Sequence, residues 1–151
     1  MLIIDNTTVV VYSYDELKSA LEGTYTYVYL GNNITMTNGI KINRLTKELI
    51  INGTYEGITY ILEDKKSLNA SDTITISSNI TTKITVCNVK FIGYNYYGII
   101  YIPDSNTYKD TTIEYKNIVY TGPQMAFNPY GLTRFIDCTI TIDDNALVTG
   151  N

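Results

Sequence analysis

The chain has no histidine and no tryptophan, only three prolines and two cysteines among its 151 residues. Without histidine there is no Ser-His-Asp or Cys-His nucleophile activation, no imidazole metal site and no side chain that ordinarily titrates near neutrality. Positive charge is also scarce. Eleven Lys and Arg face fifteen Asp and Glu, a net charge of -4, which is the wrong sign to neutralise a phosphate backbone, so no nucleic-acid partner is expected. No run approaches the roughly 20 apolar residues that cross a bilayer, so membrane insertion is not expected. The start, Met1-Leu-Ile-Ile-Asp-Asn6, lacks the basic region and length of a secretion signal. Cys87 and Cys138 form no CxxC pair or metal cluster.

What remains is β-forming: 15 Tyr and 44% hydrophobic residues, with Ile, Thr, Val and Asn prominent. The length is that of one domain, 1–151, with a real core and no need of staples.

One helix is expected, near the start. Ser13-Tyr-Asp-Glu16 has the capping-box spacing, in which the serine and glutamate side chains satisfy opposite exposed amides. Leu17, Ala20 and Leu21 supply its apolar stripe and Gly23 stops it. Preceded by the strand-like Thr7–Tyr12, this unit of residues 1–23 has the size to cover the end of something larger.

From 24 to 151 the sequence alternates short apolar runs with Gly, Asn and Asp, as an all-β chain does. Ile84–Phe91, Ile113–Tyr120 and Thr133–Ile140 superpose: in each, a strand meets Asn88, Asn117 or Asp137 and a second strand resumes at once. Asn and Asp tolerate the left-handed backbone of a one-residue corner, and stacked amides can bond along an axis. The copies lie 29 and 20 residues apart, offsets that suit turns of a parallel β-helix with variable loops. The expected fold is all-β, a parallel β-helix with a short N-terminal capping helix. Five or six coils would stack at about 4.8 Å each. Ile84, Val86, Val89 and Phe91 would point inward, as would Cys138. Cys87 would point outward, so no disulfide is expected.

Within this pattern the stretch Ile84–Ile140 resembles the pectate lyase-like adhesive domain of Gram-positive surface proteins. The resemblance rests on Asn117-Ile-Val-Tyr-Thr-Gly-Pro-Gln124 and Ala126-Phe-Asn-Pro-Tyr-Gly131, supported by Tyr12–Leu21, Ile50-Ile-Asn-Gly53 and Tyr97–Ile102. It implies a right-handed single-stranded parallel β-helix, and adhesion rather than a shared reaction, at an extracellular or cell-surface location. Relatives usually run on for several more coils, so the far end after Thr139–Ile142 is expected to be bare.

Catalytic residues, metal ligands and cofactors are not expected. True pectate lyases use a carboxylate cluster for Ca²⁺ and an arginine base. Arg44 and Arg134 sit in no acidic cluster and in no Arg-x-Pro-x-x-Arg pattern. Asp143 and Asp144 are adjacent, so on a strand they leave opposite faces and cannot straddle a glycosidic bond. Asp143-Asp-Asn145 has no calcium-ligand spacing.

Tyrosines concentrate in the second half, and phenol rings offer stacking area plus a hydroxyl to a sugar or protein surface. They also serve simply as sheet-face ladders. The loop Tyr94-Asn-Tyr-Tyr97 and the loop from Gly122 to Tyr130 leave successive coils, which makes Tyr94, Tyr96, Tyr97, Gln124, Asn128 and Tyr130 the candidate ligand-binding residues. A bland alternative for Gly122-Pro-Gln124 is a tight turn whose amide side chain bonds back to the next coil.

The leading expectation is a non-catalytic extracellular module that binds carbohydrate or a host or cell-surface protein. The alternative is a self-assembling subunit stacking end to end into head-to-tail fibres, with Leu2–Ile4 and Val9–Val11 pairing onto a neighbour's open coil. A polysaccharide lyase ranks last.

Overall fold

The computed structural model describes residues 1–143. The first pass of the chain is β1 (Leu2–Ile3), β2 (Thr8–Val11) and the helix α1 (Tyr14–Glu22). The second is β3 (Tyr27–Leu30), β4 (Ile34–Thr35) and β5 (Ile40–Ile42). The third begins with β6 (Glu48–Asn52), inserts the pair β7 (Thr54–Tyr55) and β8 (Ile58–Thr59), and resumes in β9 (Ile61–Glu63) and β10 (Ile74–Ile76). The fourth is β11 (Lys83–Ile92) and β12 (Ile100–Tyr101). The fifth, β13 (Thr112–Gly122), ends with Phe127 bridged to Tyr101. The sixth is β14 (Leu132–Ile136) and β15 (Thr139–Ile142).

Successive passes lie parallel and in register, so like positions stack into side-chain columns. One column runs Val9, Val28, Ile51, Val86, Tyr115, Phe135. A second runs Ile34, Leu62, Phe91, Tyr120, Ile140. A third, on the remaining side, is Ile40, Ile74, Ile100. Except for Phe135 and Ile140 on the last pass, these residues are buried in one cluster. Burying each such side chain is worth roughly 1.5–3 kcal/mol.

The corner between the first two columns is where the sequence repeat places it. Asn88, Asn117 and Asp137 have φ of 54°, 53° and 52°. Asn117 Nδ2 donates to Asn88 Oδ1 at 3.0 Å, and Asn88 Nδ2 to Asn52 Oδ1 at 3.3 Å. Asn52 is thus the foot of the ladder, although no strand resumes directly after it. The β7–β8 hairpin intervenes, turning through Glu56 and Gly57 at φ 50° and 79°. Residues 57–62 are therefore divided between an antiparallel hairpin and a parallel pass.

The helix forms at the expected place, with one difference at its cap. Ser13 Oγ accepts from the Glu16 amide at 3.2 Å, but Glu16 reaches past Ser13 to the Tyr12 amide at 3.0 Å. Its carboxylate also pairs with the N-terminal ammonium at 2.8 Å, which draws it one residue further back. Leu17, Ala20 and Leu21 are buried and cover the first end of the core.

That end is closed on its edge as well. Val9–Val11 pair with β3 on one side, and Val9 and Val10 with β1, antiparallel, on the other. Val9 and Val10 are therefore not free to pair with another molecule, and the large apolar residues exposed there include Met1, Leu2, Ile3 and Ile4. At the last described pass, Leu132, Phe135, Ile136, Ile140 and Ile142 are exposed.

The cysteines are both free. Cys138 is half-buried against the core, its thiol donating to the Tyr115 carbonyl at 3.2 Å. Cys87 lies outside the core cluster yet is 8% exposed, so the expectation of an outward thiol needs correcting for cover. Burial pushes its pKa up.

Candidate functional site

The loop of residues 93–98, between β11 and β12, and the segment 123–131, after β13, lie side by side because they occupy the same position on successive passes. Gln124 Nε2 donates to the Tyr96 carbonyl at 2.7 Å, and the Ile99 amide to the Met125 carbonyl at 2.9 Å. Gly98, at φ 77°, sits where a Cβ would fall 2.8 Å from Ala126 Cα. Both its backbone conformation and the close approach require glycine.

This juxtaposition builds a continuous aromatic surface. Tyr97 packs on Tyr101 with centroids 5.0 Å apart, and Tyr101 on Phe127 at 5.3 Å. All three rings are half-buried, and Tyr96 and Tyr130 stand exposed nearby in sequence. Such rings offer apolar area at low entropic cost, with hydroxyls at their edges.

The six sequence candidates divide on inspection. Tyr97 joins the aromatic surface. Tyr96 and Tyr130 are exposed. Gln124 is engaged in holding the two loops together, the structural role of the bland alternative, but its bond runs to the preceding pass and not to the next. Asn128 shapes its own turn: its Nδ2 donates to the Thr111 and Leu132 carbonyls, and its Oδ1 accepts from the Gly131 amide. Tyr94 turns to the preceding pass, its hydroxyl bonded to Glu63 Oε2 and its ring 5.7 Å from Lys66 Nζ. Burial first, and the Glu63 hydrogen bond second, push its pKa up to about 12.

Tyr101 and Phe127, absent from the candidates, form the middle of the surface. Their adjacency comes from the register of β12 with the following pass, which no local pattern announces. Asn95, within the loop, and Asp64, on the preceding pass, are both buried.

Arg44 is a structural residue. The residue is 3% exposed and its guanidinium donates to the Leu21, Tyr25 and Thr46 oxygens, joining the end of α1 to the third pass. Burial lowers its pKa to about 10. Arg134 lines an open groove of about 590 Å³ with Lys47, Lys83, Asp110, Glu114 and Leu132. There it lies in register with Glu114, an acidic neighbour that the sequence spacing hid. Among the described residues no group of three His, Cys, Asp or Glu could hold a metal ion. Of the Asp143-Asp144-Asn145 run, Asp144 and Asn145 lie outside the described residues. No described helix is long and apolar enough to cross a membrane.

Parallel passes in register, a capped first end and an aromatic surface on paired loops define an all-β protein of stacked strands with little helix. A family model described as "Putative pectate lyase-like adhesive domain" matches residues 8–127. The chain belongs to this pectate lyase-like adhesive domain family. Comparison with curated proteins and with solved structures finds no match.

Proposed function

We propose that the chain is a non-catalytic adhesion module, a right-handed parallel β-helix forming one domain over residues 1–151, displayed outside the cell or on its surface. The right-handed sense is the one that parallel strand connections adopt almost without exception. The family's description supports adhesion. The observation that carries the site is the row Tyr97, Tyr101, Phe127, built from two passes on tethered loops. Tyr96 and Tyr130 would extend it, Gln124 and Asn128 hold its shape, and Tyr94, turned to the preceding pass, lies outside it. The fitting ligand is a carbohydrate or a protein surface, both of which present flat apolar patches ringed by hydroxyls or amides.

The test is a glycan array together with a panel of surface and matrix proteins, read with the native chain and with Tyr101→Ala and Phe127→Ala. A ligand whose affinity falls about tenfold in each variant supports the site, since that is the loss of one well-packed aromatic anchor. Binding that both variants retain in full moves the site elsewhere; no binding across the panel defeats adhesion. Polygalacturonate incubated with the chain should show no rise in absorbance from unsaturated product.

The exposed Phe135, Ile140 and Ile142 on the last described pass favour a second reading, end-to-end assembly of copies. Because β1 covers the outer edge of β2, a head-to-tail fibre would require β1 to be displaced. Deleting residues 1–4 should then promote filaments, visible by negative-stain microscopy, and a deletion variant that stays monomeric removes this reading.

A further inference from the structure

Beside the loop of residues 93–98 lies a carboxyl that no cation offsets. Asp64 follows β9 where the chain bends towards β10, and it is 1% exposed. Its Oδ2 accepts one long hydrogen bond, from Asn95 Nδ2 at 3.4 Å, while Oδ1 is buried without a partner. Asn95 is itself 2% exposed, and its Oδ1 accepts from the Tyr97 amide at 2.8 Å. The Asn95 side chain is thus a spacer joining a buried acid on the third pass to the backbone of the loop on the fourth.

Apart from the Asn95 amide, with its one long bond, the surrounding groups do not favour an anion. From its own segment comes the Glu63 carboxylate, whose Oε2 is bonded to the Tyr94 hydroxyl. From the loop comes the Tyr94 hydroxyl, and from β13 the Tyr120 hydroxyl. The nearby lysines are engaged elsewhere: Lys65 pairs with Asp72 at 3.4 Å, and Lys66 lies over the Tyr94 ring. Among the described residues no lysine or arginine pairs with Asp64. Desolvation therefore holds its carboxyl protonated well above the usual carboxylate range, outweighing the Asn95 hydrogen bond, which favours the anion, while Glu63 adds to the effect.

We propose that the Asp64–Asn95 contact is a pH-operated latch on the Tyr94–Tyr97 loop, closed while Asp64 carries its proton and released when the carboxyl ionises. An ionised Asp64 must draw in water or swing out to it, because a buried charge without a partner is not tolerated. Either movement takes the support from Asn95 and leaves the Tyr97 amide without a positioned acceptor. Gln124, on the following pass, still holds the Tyr96 carbonyl, so the loop loosens without detaching. The sign follows from linkage. The folded carboxyl binds its proton more tightly than the unfolded one. Its contribution is complete below about pH 4 and is lost as pH rises through the raised folded value. That this gates adhesion rests on the function proposed above; the latch itself does not.

The experiment is amide hydrogen exchange at Tyr97 in isotopically labelled protein, followed by NMR and corrected for intrinsic rates, for the native chain and Asp64→Asn. The variant keeps the shape and cannot ionise. Between about pH 5 and pH 9, Tyr97 protection should fall about tenfold or more in the native chain and stay within about twofold in the variant. The Asp64 carboxyl carbon, read in the native chain, should titrate with the same midpoint as the loss of protection. Equal profiles in the two proteins, or a carboxyl already ionised at about pH 5, overturn the latch. Should the variant fail to fold, coincident midpoints in the native chain support the latch and separate midpoints refute it. No ligand enters these measurements, so a failed binding panel leaves their outcome intact.

Discussion

Asn117 Nδ2 donates to Asn88 Oδ1 at 3.0 Å, and both residues hold the left-handed backbone at φ 53° and 54°. One side chain thus solves two problems: it tolerates the corner and ties that corner to the pass before it. The two contributions separate by mutation. Asn117→Ala should lower stability by about 1–2 kcal/mol, combining left-handed strain with a lost hydrogen bond. Asn117→Gly, which relieves the strain, should cost about 1 kcal/mol or less. Urea unfolding of the pair measures the difference.

Arg44 reaches three oxygens on two segments. Arg44→Ala leaves the Leu21 and Tyr25 carbonyls without that donor and should cost about 3 kcal/mol. Arg44→Lys should recover little, because an ammonium does not reproduce a planar fork. Thermal unfolding with circular dichroism is the readout.

Position along the stack should set the cost of aromatic truncation. Phe91 is fully buried and stacks on Tyr120 at 6.0 Å, whereas Phe135 is 48% exposed and stacks on Tyr115 at 5.7 Å. Phe91→Ala should cost about 3–5 kcal/mol, and Phe135→Ala about 1 kcal/mol. Equal losses in denaturant titrations would contradict the order of passes.

A Cβ on Gly39 would stand 1.8 Å from the Ser71 carbonyl oxygen, a backbone atom with no freedom to rotate away. Gly39→Ala should therefore cost about 2–3 kcal/mol or prevent folding, seen as a lowered midpoint of thermal unfolding. It should also disturb the Tyr14 hydroxyl bond to the Gly39 carbonyl, now 2.7 Å long.

Thiol titration of the native chain should be biphasic. Cys138 is half-buried and should react first with an aromatic disulfide reagent. Cys87, buried and with its pKa raised by desolvation, should wait for unfolding. Two equally fast thiols would show that the cover over Cys87 is absent.

Much of the frame was legible because it is written in local preferences. Alternating apolar residues mark the inward faces of β11 and β13, and the asparagines mark their corners. Ser13 marks the start of α1. Asn52 escaped the repeat because a hairpin of two short strands follows it, so the next parallel strand begins only at Ile61. Glu16 bonded to Tyr12 rather than to its expected partner because the N-terminal ammonium lies beside it.

The site was legible in half. The tyrosine-rich loops could be placed on successive passes, but not the contact of Tyr101 with Phe127, nor the different direction taken by Tyr94. Asp64 and Asn95 gave no signal at all, since neither belongs to a motif and their pairing spans 31 positions.

By itself the sequence determined the strand content, the inward faces, the left-handed corners and the capped beginning, since each depends on residues within a few positions of one another. Tertiary structure alone decided which rings touch, which arginine is buried and which acid is stranded beside a loop. The reason is that passes differ in length, so lateral neighbours are set by how insertions are absorbed when the strands come into register.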